Sequence, residues 1–266
     1  MISFYRIGAV IFRHLMTMKR VSWFVEISYW TILDIIIFGL VGKATTMVLA
    51  SNAETLVTQA LISNVVLWYL VLRSAITIGF SLLNELYDAN LITLFATPLR
   101  KIEWIISCVI VGSLAAFFNL ILGIVMAHVV FNCNILAIGT SLIPIVILLL
   151  LSGWVLGLIL MGVLLFVGKK GTGLAFVICW SVVPFSCVYY PIEVFPVLLQ
   201  KIVWFIPMAH VFNFIRTAIT TGVYSWLSLV TSFGLNIVYL VLATGFFAFM
   251  FKRSKKRGLA RLELEW

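Results

Sequence analysis

Asn84-Glu-Leu-Tyr-Asp-Ala-Asn-Leu-Ile-Thr-Leu-Phe-Ala-Thr-Pro-Leu-Arg-Lys-Ile-Glu-Trp104 is a short polar stretch set between two long apolar ones. On either side the chain runs apolar for about 20 residues or more, enough to cross about 30 Å of hydrocarbon. A polar segment joining two such runs belongs in water. Read as a helix over 84–99, it puts Leu86, Asn90, Leu91, Leu94 and Phe95 along one side and Glu85 and Asp88 elsewhere. Pro98 ends it, because the residue before a proline resists helical geometry. Arg100 and Lys101 then anchor the next apolar run. An amphipathic helix lying along a membrane can seat its apolar knobs in a groove of a soluble partner.

The same alternation covers the whole chain. Of 266 residues 64% are hydrophobic and 10% charged, with a mean hydropathy of +1.20. A soluble domain carries about 45–50% apolar and about 25% charged residues. The expectation is an all-α polytopic membrane protein forming one transmembrane domain. Six spans are predicted, over Ser22–Gly42, Thr58–Leu82, Ile105–Phe131, Ser141–Val167, Gly173–Tyr190 and Trp226–Phe251.

Lysine and arginine orient these spans. With both termini cytoplasmic, the inside segments hold fourteen basic residues and the outside segments three, Lys43, Lys201 and Arg216. That asymmetry predicts an even number of spans and explains the net charge of +9 without nucleic acid. Residues 1–20 are too polar to span and are no signal peptide. Arg6, Arg13 and Arg20 recur every seven residues, which predicts an interfacial helix with a basic stripe toward lipid phosphates. Residues 252–266 read as a basic cytoplasmic tail.

Residues 191–222 are too apolar for a solvated loop, and Pro196 and Pro207 cut them into pieces too short to span. Helix–break–helix, dipping back into the outer leaflet, is the expected form; such backbone needs a cover of protein or water. Asp34 and Arg73 lie inside the first and second spans at similar depth. Unpaired charge there costs about 2.5–3.5 kcal/mol on insertion scales. Two readings stand: an Asp34–Arg73 pair that locks the spans, or an Arg73 that meets an anionic head group in a cavity. Gly153-Trp-Val-Leu-Gly157 marks close helix packing, within the chain or against a second copy. Pro184 should kink the fifth span.

Catalytic constellations are lacking. The stretch from Gly162 to Lys170 fails as a phosphate loop: five residues separate its glycines, and Lys170 stands where magnesium needs a hydroxyl. Cys108, Cys133, Cys179 and Cys187 have no metal-ligand spacing.

Taken in order, these features resemble the permease subunit of type-2 ABC exporters. Glu85-x-x-x-x-Asn90-Leu91-x-x-Leu94-Phe95-x-Thr97-Pro98-Leu99-x-x-x-Glu103 resembles that family's segment between spans two and three. The run from Pro191 through Phe195, Pro196, Pro207, His210 and Arg216 resembles its stretch before the last span. Ala89-Asn90 stands where many relatives have glycine. The resemblance implies a half-transporter without enzymatic activity or cofactor of its own. Two copies would pair and bind two soluble ATPase subunits, which hold ATP and Mg. Residues 84–99 would be the coupling helix, and 191–222 the exit gate, with Tyr189, Tyr190, Trp204 and Phe205 lining it. The cargo would be amphipathic: a lipid-linked glycan, a lipid or a hydrophobic drug. The competing readings are an ion-coupled secondary transporter, which should show an internal repeat and paired broken helices, and a membrane-embedded enzyme or assembly factor, which should show a polar catalytic cluster.

Overall fold

A computed structural model describes residues 3–18, 21–49 and 53–257. Every regular element among them is helical: α1 (Phe4–Met18), α2 (Val21–Leu49), α3 (Ala53–Tyr87), α4 (Leu91–Ala96), α5 (Lys101–Phe131), α6 (Leu142–Val167), α7 (Thr172–Ser181), α8 (Val197–Val203), α9 (Pro207–Thr221) and α10 (Trp226–Arg257), with short 3-10 turns between some of them. Five stretches are long and apolar enough to cross a membrane, and a sixth if the bent pair α8–α9 counts as one span.

The axis of the molecule is α3. Val65, Val66, Leu67, Trp68, Tyr69, Leu70 and Val71 are buried in succession. A helix apolar on every side has to be surrounded, and α5, α6, α2 and α9 surround this one. Small residues let them approach. A Cβ on Gly153 would stand 2.9 Å from the Val71 carbonyl oxygen, and one on Gly157 would stand 2.7 Å from Ile78 Cβ. The Gly153/Gly157 signal therefore finds its partner inside the chain, on α3. From the other side Gly112 and Gly123 of α5 meet Ile78 and Val66. Hydrogen bonds add direction to this packing: Thr31 Oγ1 donates to Asn119 Oδ1 (2.6 Å), and Ser152 Oγ donates to Asn236 Oδ1 (2.9 Å).

Two expected elements are drawn differently. The fifth span is no continuous helix over Gly173–Tyr190. α7 stops at Ser181, where Pro184 and its β-branched neighbours interrupt the ladder, and a 3-10 turn Val183–Phe185 follows. Ten helical residues cover only about 15 Å. The chain still climbs beside α3: Phe176 lies on Phe80 (5.3 Å), and Val188 is level with Asn64. Residues 252–257 of the expected basic tail are helical, because α10 continues through Arg257. Lys19, Arg20 and residues 258–266 lie outside the described residues.

Candidate functional site

At one end of the bundle α3 gives way to α4. The expected single helix over 84–99 is broken at Asp88–Asn90. Ala89 takes a left-handed conformation (φ 50°). Its N–H donates to Leu86 O (3.3 Å), and the Asn90 N–H donates to Glu85 O (3.0 Å). This is the Schellman pair of bonds that closes a helix, with alanine where glycine is the usual occupant. Only six residues, Leu91–Ala96, then form α4. Thr97 Oγ1 donates back to Leu94 O (2.6 Å), and Pro98 blocks further helix.

The apolar knobs of this segment face inward. Leu86 and Leu91 are fully buried and Leu94 nearly so. Phe95 packs edge-on against Trp104 (5.8 Å) and Phe251 (5.0 Å), and Leu99 lies against the same core. These side chains fasten α4 to the body and are not themselves available to a partner. What α4 and its flanks expose is a shelf of Tyr87, Asp88, Ala89, Ile92, Thr93, Ala96, Thr97 and Pro98.

The N-terminal helix holds this shelf from the side. Glu85, 4% exposed, is ion-paired with Arg13 and accepts the Asn90 side-chain N–H (3.0 Å). Glu103, fully buried, accepts the backbone N–H groups of Arg100 (2.9 Å) and Ser3 (2.8 Å) and pairs with Arg6 at 3.6 Å. The Arg6 guanidinium also donates to the Pro98 carbonyl. Arg6 and Arg13 thus face two buried carboxylates, which corrects the expectation that they form a stripe toward lipid phosphates. Seven residues are two helical turns, so both project from one side of α1. Burial, with the Arg13 charge alongside, pushes the adjacent His14 down to about 4, so its ring is neutral at pH 7. The opposite side of α1 is uncharged and bare: Phe4, Tyr5, Phe12, Leu15 and Met16 are exposed.

Within the bundle, Asp34 does not contact Arg73 as an ion pair. Its Oδ2 accepts the Tyr69 hydroxyl (2.7 Å), which also lies 3.0 Å from the Trp30 carbonyl oxygen. Arg73, one turn along α3 from Tyr69, donates to the Glu26 carbonyl (3.3 Å). Tyr69, the partner that Asp34 does find, was not legible from the sequence, because it lies in an unbroken apolar run.

At the far end α8 and α9 are bent by 103° across Trp204–Ile206. Pro207 opens α9, where its missing N–H costs nothing. His210 and the Trp204 carbonyl close the bend (Nε2 to O, 2.7 Å), and the Tyr239 hydroxyl donates to the Phe205 carbonyl (3.0 Å). Trp204 and Phe205 are about half exposed, Pro196 is exposed and Pro207 is buried. Arg216 points the other way. Its Nη2 donates to the Cys187 and Val188 carbonyls (3.1 and 3.3 Å), and Asn64 Nδ2 donates to Val188 as well (3.3 Å). These bonds satisfy the irregular turn after α7, in which Cys187 is left-handed (φ 60°). Tyr190 adds a bond to the Pro184 carbonyl (2.7 Å), and Tyr189 stacks on Phe38 (4.3 Å). Arg216 and Asn64 are the residues sequence reasoning undervalued here: one was counted only as an outside charge or gate residue, the other not singled out. All four cysteines are buried free thiols.

Comparison with known proteins finds no matching family model and no matching curated protein.

Proposed function

We propose that the chain is the permease subunit of an ATP-driven exporter of the type-2 ABC kind, moving an amphipathic substrate outward across the inner (plasma) membrane. In this reading both termini and α4 are cytoplasmic, two copies of the chain form the pathway, and a soluble ATPase subunit carries ATP and Mg. The observation that supports it most is the mounting of α4. It is a single short helix between the long apolar helices α3 and α5, held by buried leucines and by the Arg13–Glu85 pair, with one face exposed. A helix fixed this firmly transmits a push to α3 and α5 instead of absorbing it. The bare face, around Tyr87, Asp88, Ile92 and Thr93, is the surface an ATPase groove would grip. The bend between α8 and α9 supports an exit gate at the opposite end. The broad exposed apolar sides of α2 and α10 suit lipid and a second copy.

The test is co-purification from native membranes in mild detergent. The tagged chain should bring down a soluble ATPase in about one-to-one ratio. Asp88→Arg with Ile92→Asp should remove the ATPase and leave the chain monodisperse, because both side chains are exposed. Equal ATPase recovery from this variant, or none from the unaltered chain, would reject the reading.

A further inference from the structure

Asp34 stands among aromatic rings. Trp30 and Phe38 are one turn before and one turn after it on α2, so the three share a side of the helix. Tyr69 of α3 reaches it with its hydroxyl, and Tyr189, stacked on Phe38 at 4.3 Å, closes the arrangement from the turn after α7. Trp30 is half exposed and Asp34 partly so. Among the described residues only one carboxylate oxygen is engaged, Oδ2, and its partner is a neutral hydroxyl. The nearest intramembrane cation, Arg73, is turned to the Glu26 carbonyl, eight residues or about 12 Å back along α2.

We infer that Asp34, with Trp30, Phe38, Tyr69 and Tyr189, forms a recognition site for an ammonium or related organic cation carried on an apolar body. A carboxylate at this depth supplies the counter-charge. Ring faces attract cations, and aromatic cages are the recurrent solution for quaternary ammonium. A neutral glycan would leave the Asp34 carboxylate without the counter-charge that a cation supplies. The chemistry is shared by drug-like cations and by cationic single-chain amphiphiles. That the bound cation is the exported substrate rests on the exporter reading; binding itself does not.

The test uses the full chain in lipid nanodiscs and measures retention of radiolabelled tetraphenylphosphonium. Hexadecyltrimethylammonium should displace it, and hexadecyl sulfate and octyl glucoside should not. Asp34→Asn keeps an acceptor for Tyr69 and should weaken binding at least about tenfold, while Asp34→Glu keeps the charge and should stay within a few-fold. Phe38→Leu should weaken binding about three- to fivefold, the scale of one lost ring contact. No binding by the unaltered chain, undiminished binding by Asp34→Asn, or equal displacement by the glucoside would overturn the inference. Displacement by hexadecyltrimethylammonium at much lower concentration than by unlabelled tetraphenylphosphonium would identify the lipid-like source. Co-purification of the ATPase with no cation binding would sink this site and leave the exporter reading intact; the reverse result would do the opposite.

Discussion

Reversing the charges that join α1 to α3 tests the mounting of α4 directly. Arg13→Glu would set a second carboxylate against Glu85, which is 4% exposed and would keep only the Asn90 amide as donor. Removing one member of a fully buried pair costs about 3–5 kcal/mol, and an exposed pair is worth about 0–1 kcal/mol. The Arg13 side chain is 41% exposed, so the loss should fall between, about 2 kcal/mol. For a chain of this size that is about 4–8 °C in the unfolding midpoint. Glu85→Arg should cost at least as much, since it buries a cation. Arg13→Glu combined with Glu85→Arg restores opposite charges and should recover about 1–2 kcal/mol of the summed loss. The molecule carries its own reporter: all four cysteines are free and buried, so a dye that fluoresces on reaction with thiols reports unfolding on heating. Single variants within about 1 °C of the parent, or a double variant showing only the sum of the singles, would refute the clamp.

Two further outcomes can be read with the same dye. Ala89→Gly should raise the midpoint by about 1–3 °C, because a left-handed alanine costs about 1–2 kcal/mol and glycine returns part of the gain to the unfolded chain; a lowered midpoint would contradict the Schellman closure. Gly153→Ala should destabilise by about 1–3 kcal/mol, since its Cβ would press on the Val71 carbonyl and the Ser74 hydroxyl, while Gly245→Ala on α10, with nothing within 4 Å, should be neutral or stabilising. Equal behaviour of the two would argue against close α3–α6 packing.

The long helices were legible because hydropathy over about 20 residues outweighs any local preference. Their ends were less so: Pro98 and Pro207 stop or start helix by geometry alone, whereas the break at Ala89 depends on bonds that alanine does not announce. Amphipathicity also misled. In 84–99 the apolar side was taken to face a partner, yet α4 is so short that Leu91 and Leu94 are needed to hold it at all. The pairing of α1 with this segment could have been reached by an argument on charge. Glu85 and Glu103 flank a stretch whose apolar side must pack inward, and a carboxylate buried with it needs a cation. Arg100 and Lys101 point outward with the exposed flank. Arg6 and Arg13, spaced by two turns, are the pair that meets two carboxylates at once, so the heptad of arginines in the first helix is better read as the complement of two glutamates than as a lipid anchor.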